Sequence, residues 1–152
     1  MDRYAFQYCQ KMVVFSKEGK RVLLCKRKGE RDYEGIFSFI GGKMEVKDRS
    51  IIEGLRREKN EEVGRLFKVK IYPTFVTQAF FRKSDGNSMV LPHYYAQHVS
   101  GKVKLNEEYS DYQWVGLKDL EKFEPKIPTV PAMVAQLIRL KKIMKNEEYI
   151  VL

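Results

Sequence analysis

The sequence predicts an α/β fold in which one mixed β-sheet is sandwiched between helices. Three observations predict it. Apolar runs of strand length, separated by turn residues, recur along most of the chain. One helical stretch, residues 51–63, interrupts them, and a second closes the chain from about residue 129. Strands arranged around one helix with another at the end bury two faces of a sheet. A length of 152 residues favours a single domain, 1-152, with a core of its own.

Composition narrows the class. At 43% hydrophobic and 12% aromatic residues the chain is globular and not disordered. No apolar run approaches the roughly 20 residues needed to span a bilayer. The start, Met1-Asp2-Arg3-Tyr4, lacks a basic-then-apolar signal pattern, so a cytoplasmic location and no membrane partner are expected. Cys9 and Cys25 fall in predicted strands and read as small buried hydrophobes. The formal net charge of +9 attracts polyanions such as nucleotides and RNA. Its lysines and arginines are spread along the chain, with no compact basic stretch beyond Lys26-Arg27-Lys28, which reads as a solvated surface. Whether the protein is a monomer or a homodimer stays open.

Residues 4–15 read as a strand with Met12-Val13-Val14-Phe15 as its apolar end. Ser16 to Lys20 is a turn, and residues 21–27 return as the second arm of a hairpin. Residues 28–34 are polar and form a loop, after which 35–40 lead into Gly41-Gly42. The paired glycines reach backbone conformations closed to other residues and let the chain approach a ligand closely. Residues 51–63 form a helix, closed by Gly64, with an incomplete apolar stripe of Ile51, Ile52, Leu55 and Val63. Gly54 lets that helix lie tightly on a strand.

Residues 69–81 form a long strand marked by Pro73 as a bulge or edge. The Asp85-Gly86 signal turns it into residues 88–100, a strand broken near Pro92. A short strand at 103–105 and a strand carrying Trp114 follow, then a short helix at 117–122. Thr129 is suited to cap the last helix and Pro131 to its first turn. Residues 147–152 either pair as an extra strand or hang free.

Within the first helix, Glu58, Glu61 and Glu62 stand at i, i+3 and i+4 and share one face. Three carboxylates there repel one another. A divalent cation removes that repulsion, and Mg²⁺ or Mn²⁺ takes oxygen ligands of this kind. A solvated acidic face is the alternative from these residues alone.

The wider stretch resembles the Nudix box, written G-x5-E-x7-R-E-U-x-E-E-x-G-U with U a bulky apolar residue. Gly42 fits the first glycine, and Arg57-Glu58, Glu61-Glu62 and Gly64 fit the second half. The chain departs from the pattern in four places. Asp48 replaces the mid-box Glu, one extra residue precedes Arg57, and Lys59 and Arg65 stand at apolar positions. None of these removes a residue that would hold metal.

The resemblance implies a Nudix-type α/β/α sandwich and hydrolysis of a pyrophosphate bond in a nucleoside diphosphate linked to another group. It implies Mg²⁺ or Mn²⁺ held by the Gly41 carbonyl, Glu58, Glu61, Glu62 and Glu108, the last lying six residues before Trp114 with Glu107 as the fallback. Glu58 or Glu108 is the expected general base. Arg57 would anchor loop and helix through an ion pair with Asp48, or with Glu53 or Glu61. Arg27 and Lys43 are candidates to hold phosphate oxygens. Phe80, with Phe81, offers a ring to a substrate, and Phe80 standing where the ADP-ribose branch carries proline disfavours that branch. Phe6, Tyr8, Phe75, Tyr94 and Tyr95 are further rings that could stack a base, though each also suits the core. Removal of a pyrophosphate from RNA 5′ ends, and a nucleotide-binding module without catalysis, are the alternatives.

Overall fold

The structure, a computed structural model, describes residues 5–145 and 147–152. Ten elements run in the order β1 (Gln7–Phe15), β2 (Arg21–Arg27), β3 (Phe37–Ser38), β4 (Ile40–Lys43), α1 (Ile51–Val63), β5 (Lys68–Arg82), β6 (Ser88–Ser100), β7 (Tyr109–Gly116), α2 (Val130–Ile143) and β8 (Ile150–Val151). The expected first strand begins at Gln7, and its start at Tyr4 lies outside the described residues. The sheet is mixed. β1 runs parallel to β6, while its pairings with β2 and β4 are antiparallel.

Alternation along the strands separates two cores. Val13, Phe15, Val22 and Leu24 face α2 and pack with Met133, Val134 and Leu137. Met12, Val14, Leu23 and Cys25 face the other way and pack with Leu55 and Val63 of α1. Both cysteines are free and buried. The sheet is thus covered by a helix on each face.

Four expectations are corrected. Residues 103–105 form no strand, because their neighbourhood caps α1 instead: Lys104 N–H donates to the Val63 carbonyl at 3.0 Å and Asn106 N–H to that of Glu62 at 3.3 Å. Those carbonyls would otherwise lack an intrahelical partner. Residues 117–122 are successive tight turns and not a helix, with Asp119 N–H on Gly116 and Lys122 N–H on Asp119. β6 runs through Pro92 unbroken; its pairing with β1 holds at Val90 and resumes at His93, so on that side the missing proline donor falls between registered pairs, while on the other Pro92 stays in register with Gln78 of β5. Thr129 makes no side-chain cap bond, whereas Ser50 caps α1 by accepting from Glu53 N–H at 3.1 Å. The tail pairs: β8 lies on β5, and Leu152 is buried.

Candidate active site

The site begins where β4 meets α1. Gly41 and Gly42 pair with Lys11 and Gln10 of β1. A Cβ at Gly42 would come within 2.5 Å of the Glu58 carboxylate, so the bare backbone there makes room for that side chain. Gly54, buried on α1, does the same for Gln10 and Asp48. The loop between β4 and α1 is tied by Arg57. Its guanidinium donates to both Asp48 oxygens at 2.9 Å, to Glu58 at 2.9 Å and to the Lys43 carbonyl at 3.1 Å. The Arg57–Asp48 fork is the expected pair, and it holds the Asp48 carboxyl down to about 2.

The helix splits the three glutamates. Steps of three and four residues fall about 60° behind and 40° ahead of Glu58 around the axis. Glu58 and Glu62 turn inward and are buried. Glu61 turns outward, is half exposed, pairs with Arg57 at 3.3 Å, and lines a shallow pocket with Glu53, Arg56, Asn60 and Arg65. All three thus lie within about 100° of arc, and Arg57 Nη1 reaches both Glu58 and Glu61, with Glu61 at the exposed edge of that face.

Burial raises the carboxyls of both inward glutamates, with Glu62 pushed up to about 8. Glu62 accepts from Gly41 N–H at 2.6 Å and from the Tyr109 hydroxyl. Lys59, at a box position that is apolar in the family pattern, buries its stem completely and donates to the Gly64 carbonyl at 3.2 Å.

Glu58 and Glu62 open onto a cavity of about 810 Å³ that reaches Thr129 and Val130 at the start of α2. Gly41, Arg27, Lys43, Phe80 and Glu108 line it as well; Glu107, Arg57 and Glu61 do not. Arg27 is mostly buried, donating to Ser38 Oγ at 3.0 Å and pairing with Glu30. Lys43 is exposed and stands beside Lys83, and burial and that neighbour both lower its pKa. Phe80 is 61% exposed at the rim, while Phe81, opposite Met89, lines the inner wall. Of the other rings, Phe75 and Tyr95 belong to the α2 core, Tyr94 to the α1 core, and none of Phe6, Tyr8, Phe75, Tyr94 and Tyr95 lines the cavity.

The apolar wall is Phe39, Phe81, Met89, Leu91 and His93. The sequence reading missed His93 and Lys11, although both sit in period with apolar strand residues that point inward. His93 is buried, donates from Nδ1 to the Leu91 carbonyl at 2.8 Å and meets the Phe39 ring edge-on at 5.6 Å. Burial lowers it from 6.5 to about 4.

A stability prediction follows for His93. Between about pH 4 and 6.5 the unfolded chain binds a proton that the native state does not. The His93 contribution therefore rises with pH across that window and is lost as pH falls through it, by up to about 3 kcal/mol, while the raised Glu62 carboxyl contributes with the opposite sign. Urea melts at pH 7 and 4.5 on the wild type and on His93→Asn, which keeps a donor, isolate the His93 part. The wild type should lose more stability, or gain less, than the variant on going to pH 4.5; equal changes would rule His93 out as a source.

The donor set suits a hard divalent cation by its chemistry. Glu58, Glu62, Glu108 and the Gly41 carbonyl offer oxygen only, on one cavity. No group of three His, Cys, Asp or Glu side chains among the described residues already surrounds one point.

The NUDIX domain family matches residues 9–137. A nucleoside triphosphatase NudI of Escherichia coli (strain K12 / DH10B) is 33% identical over 115 residues, 70% of this chain and 81% of that protein. The MutT protein of Methanosarcina mazei Go1 superposes with a TM-score of 0.70 at 23% identity, covering 96% of this chain and 100% of that one. The C. elegans Ap4A hydrolase gives a TM-score of 0.73 at 15% identity, covering 91% and 99%. At those identities the two structures show the shared fold, and the domain match together with the NudI relative shows the family. The chain belongs to the Nudix family of hydrolases.

Proposed function

We propose that the protein hydrolyses a pyrophosphate bond of a free nucleoside polyphosphate, with Mg²⁺ or Mn²⁺ as cofactor. The observation that carries the reading is the cavity of about 810 Å³ joining the Glu58, Glu62 and Glu108 carboxylates to an apolar aromatic wall. That volume lies within the range of small-molecule sites. The wall of Phe39, Phe81, Met89 and Leu91 suits a base, and the carboxylate end suits a metal–phosphate group. Relatives named nucleoside triphosphatase favour a triphosphate.

A divalent cation on Glu58, Glu62 and Glu108 would neutralise the pyrophosphate and lower the pKa of a bound water. Glu58 is our choice for the group that takes the water proton. Burial moves its carboxyl upward, toward the working range of a base, and Arg57 grips one of its oxygens at 2.9 Å and leaves the other free of that contact. The water oxygen bonds to phosphorus, the bridging P–O bond breaks, and the leaving phosphate keeps the electron pair. Lys43, whose ammonium is disfavoured beside Lys83, is suited to receive a phosphate oxygen, which would relieve that repulsion. Arg27, already engaged by Glu30 and Ser38, would support the phosphate side from behind.

The test is a phosphate-release panel with Mg²⁺ and Mn²⁺. It holds nucleoside triphosphates, oxidised nucleotides, dinucleoside polyphosphates, nucleotide sugars and 5′-triphosphate RNA. Turnover of a free nucleotide class that Glu62→Gln abolishes is the expected result. Turnover of RNA alone would move the substrate to RNA 5′ ends. No turnover of any class would overturn the enzymatic reading in favour of a binding module.

A further inference from the structure

Lys11 is an ammonium in the middle of a buried strand. Its neighbours Met12, Val13 and Val14 are fully buried, and Lys11 is itself only 4% exposed. An unpaired charge there is costly, so its counter-charge must be found. Nζ donates to the Gly41 carbonyl at 3.1 Å. The N–H of the same glycine goes to Glu62 at 2.6 Å. One residue of β4 is thus held by a cation at its oxygen and by an anion at its nitrogen. Around Lys11 in the cavity, Cys9, Phe39 and Leu91 supply no anion, and His93, opposite it across β6, is held neutral by burial. The Lys11 charge favours the ionised form of Glu62, while Glu58 opposes it. The anions that answer Lys11 are those of the carboxylate cluster.

We propose that the Lys11 ammonium is a built-in cation of this centre, standing on the Gly41 carbonyl in place of one divalent ion. Once metal binding has drawn the protons off all three carboxylates, they and one ammonium leave a charge that a single divalent ion matches, the Arg57 charge being answered by Asp48. Without the ammonium they call for a second. A carbonyl also binds a metal less readily when a cation already draws on its lone pair. A purely packing role would be filled better by leucine or methionine, which carry no desolvation cost. The inference rests on the reading of Glu58, Glu62 and Glu108 as a cation centre.

The test is Mn²⁺ titration of the nucleotide-free protein, followed by the loss of the free-ion electron paramagnetic resonance signal. Lys11→Met removes the charge and the bond to Gly41. Lys11→Gln removes the charge and keeps a donor, and decides the matter where the methionine variant fails to fold. The expected result is one more Mn²⁺ per chain in the variants than in the wild type, or the first ion bound at least about tenfold more tightly. Mn²⁺ should also raise the melting temperature of Lys11→Gln more than that of the wild type. Equal stoichiometry and affinity in all forms would overturn the role of Lys11 and leave the cation centre standing. No binding by any form would overturn both.

Discussion

Glu58→Gln is expected to cut turnover by about 10²–10⁴-fold while leaving the melting temperature of the metal-free protein unchanged or higher. The two effects separate because Glu58 is a poor structural residue. Its carboxylate is 8% exposed, and burial together with the neighbouring Glu61 and Glu108 opposes its ionisation. Glutamine has the same shape and removes the charge that burial disfavours. The Arg57 contact survives as a hydrogen bond to the amide oxygen, and the Arg57–Asp48 fork does not involve Glu58. What disappears is a group able to take a proton from water or to neutralise a cation. Steady-state turnover of the substrate found in the panel, beside thermal melts in chelator, measures both. Turnover within tenfold of the wild type would transfer the base role to Glu108, the other carboxylate on that cavity.

The parts of this site that were legible in the sequence are those whose chemistry demands a residue type at a fixed spacing. The glycine pair, Arg57-Glu58 and Glu62 stand out because an isolated helix would not choose them, and α1 spans the residues expected of it. The Arg57–Asp48 pair was legible through the resemblance to the Nudix box, and the alternative contact with Glu61 forms beside it at 3.3 Å. Spacing placed Glu61 beside Glu58 and Glu62 but carried no sign that it would stand at the exposed edge of that face, against Arg57. The sequence offers both Phe80 and Phe81, and both line the cavity, but which one faces inward was not legible, because the facing of a strand depends on its register with β6, and β5 shifts register between Tyr72 and Val76.

Other features had no local signal. The irregular run near 104 owes its form to distant partners, the open carbonyls at the end of α1, and the turns at 117–122 begin from a bond of Leu117 N–H to the Lys20 carbonyl. Lys11 did carry a signal, a lysine at an inward position of an apolar strand. Composition hid it among 29 basic residues, where one lysine more reads as solvated surface.

Gly41→Ala is expected to destabilise the fold by more than about 3 kcal/mol. Gly41 has φ of +125°, a region that side-chain-bearing residues rarely adopt. A Cβ there would lie 2.0 Å from the Gln10 carbonyl oxygen and 2.9 Å from the Lys11 Cα, both backbone atoms of β1. Neither can rotate away, so the β1–β4 ladder itself must open. Gly54→Ala is the control. Its Cβ would meet side-chain atoms and no backbone: the Gln10 Oε1 at 2.8 Å, an oxygen with no hydrogen-bond partner among the described residues, and the Asp48 Oδ2 at 3.2 Å. A shift of a few tenths of an ångström in those two ends relieves the contacts, and alanine in place of glycine within a helix returns up to about 1 kcal/mol. Urea melts should therefore separate the two glycines widely, with Gly54→Ala near the wild type. The same opening would pull the Gly41 N–H from Glu62 and its carbonyl from Lys11, so Mn²⁺ binding should fall with stability in Gly41→Ala and persist in Gly54→Ala. A Gly41→Ala protein that melts within about 1 kcal/mol of the wild type would mean that β4 can shift cheaply, and that the register of the two strands does not hold the carboxylates in place.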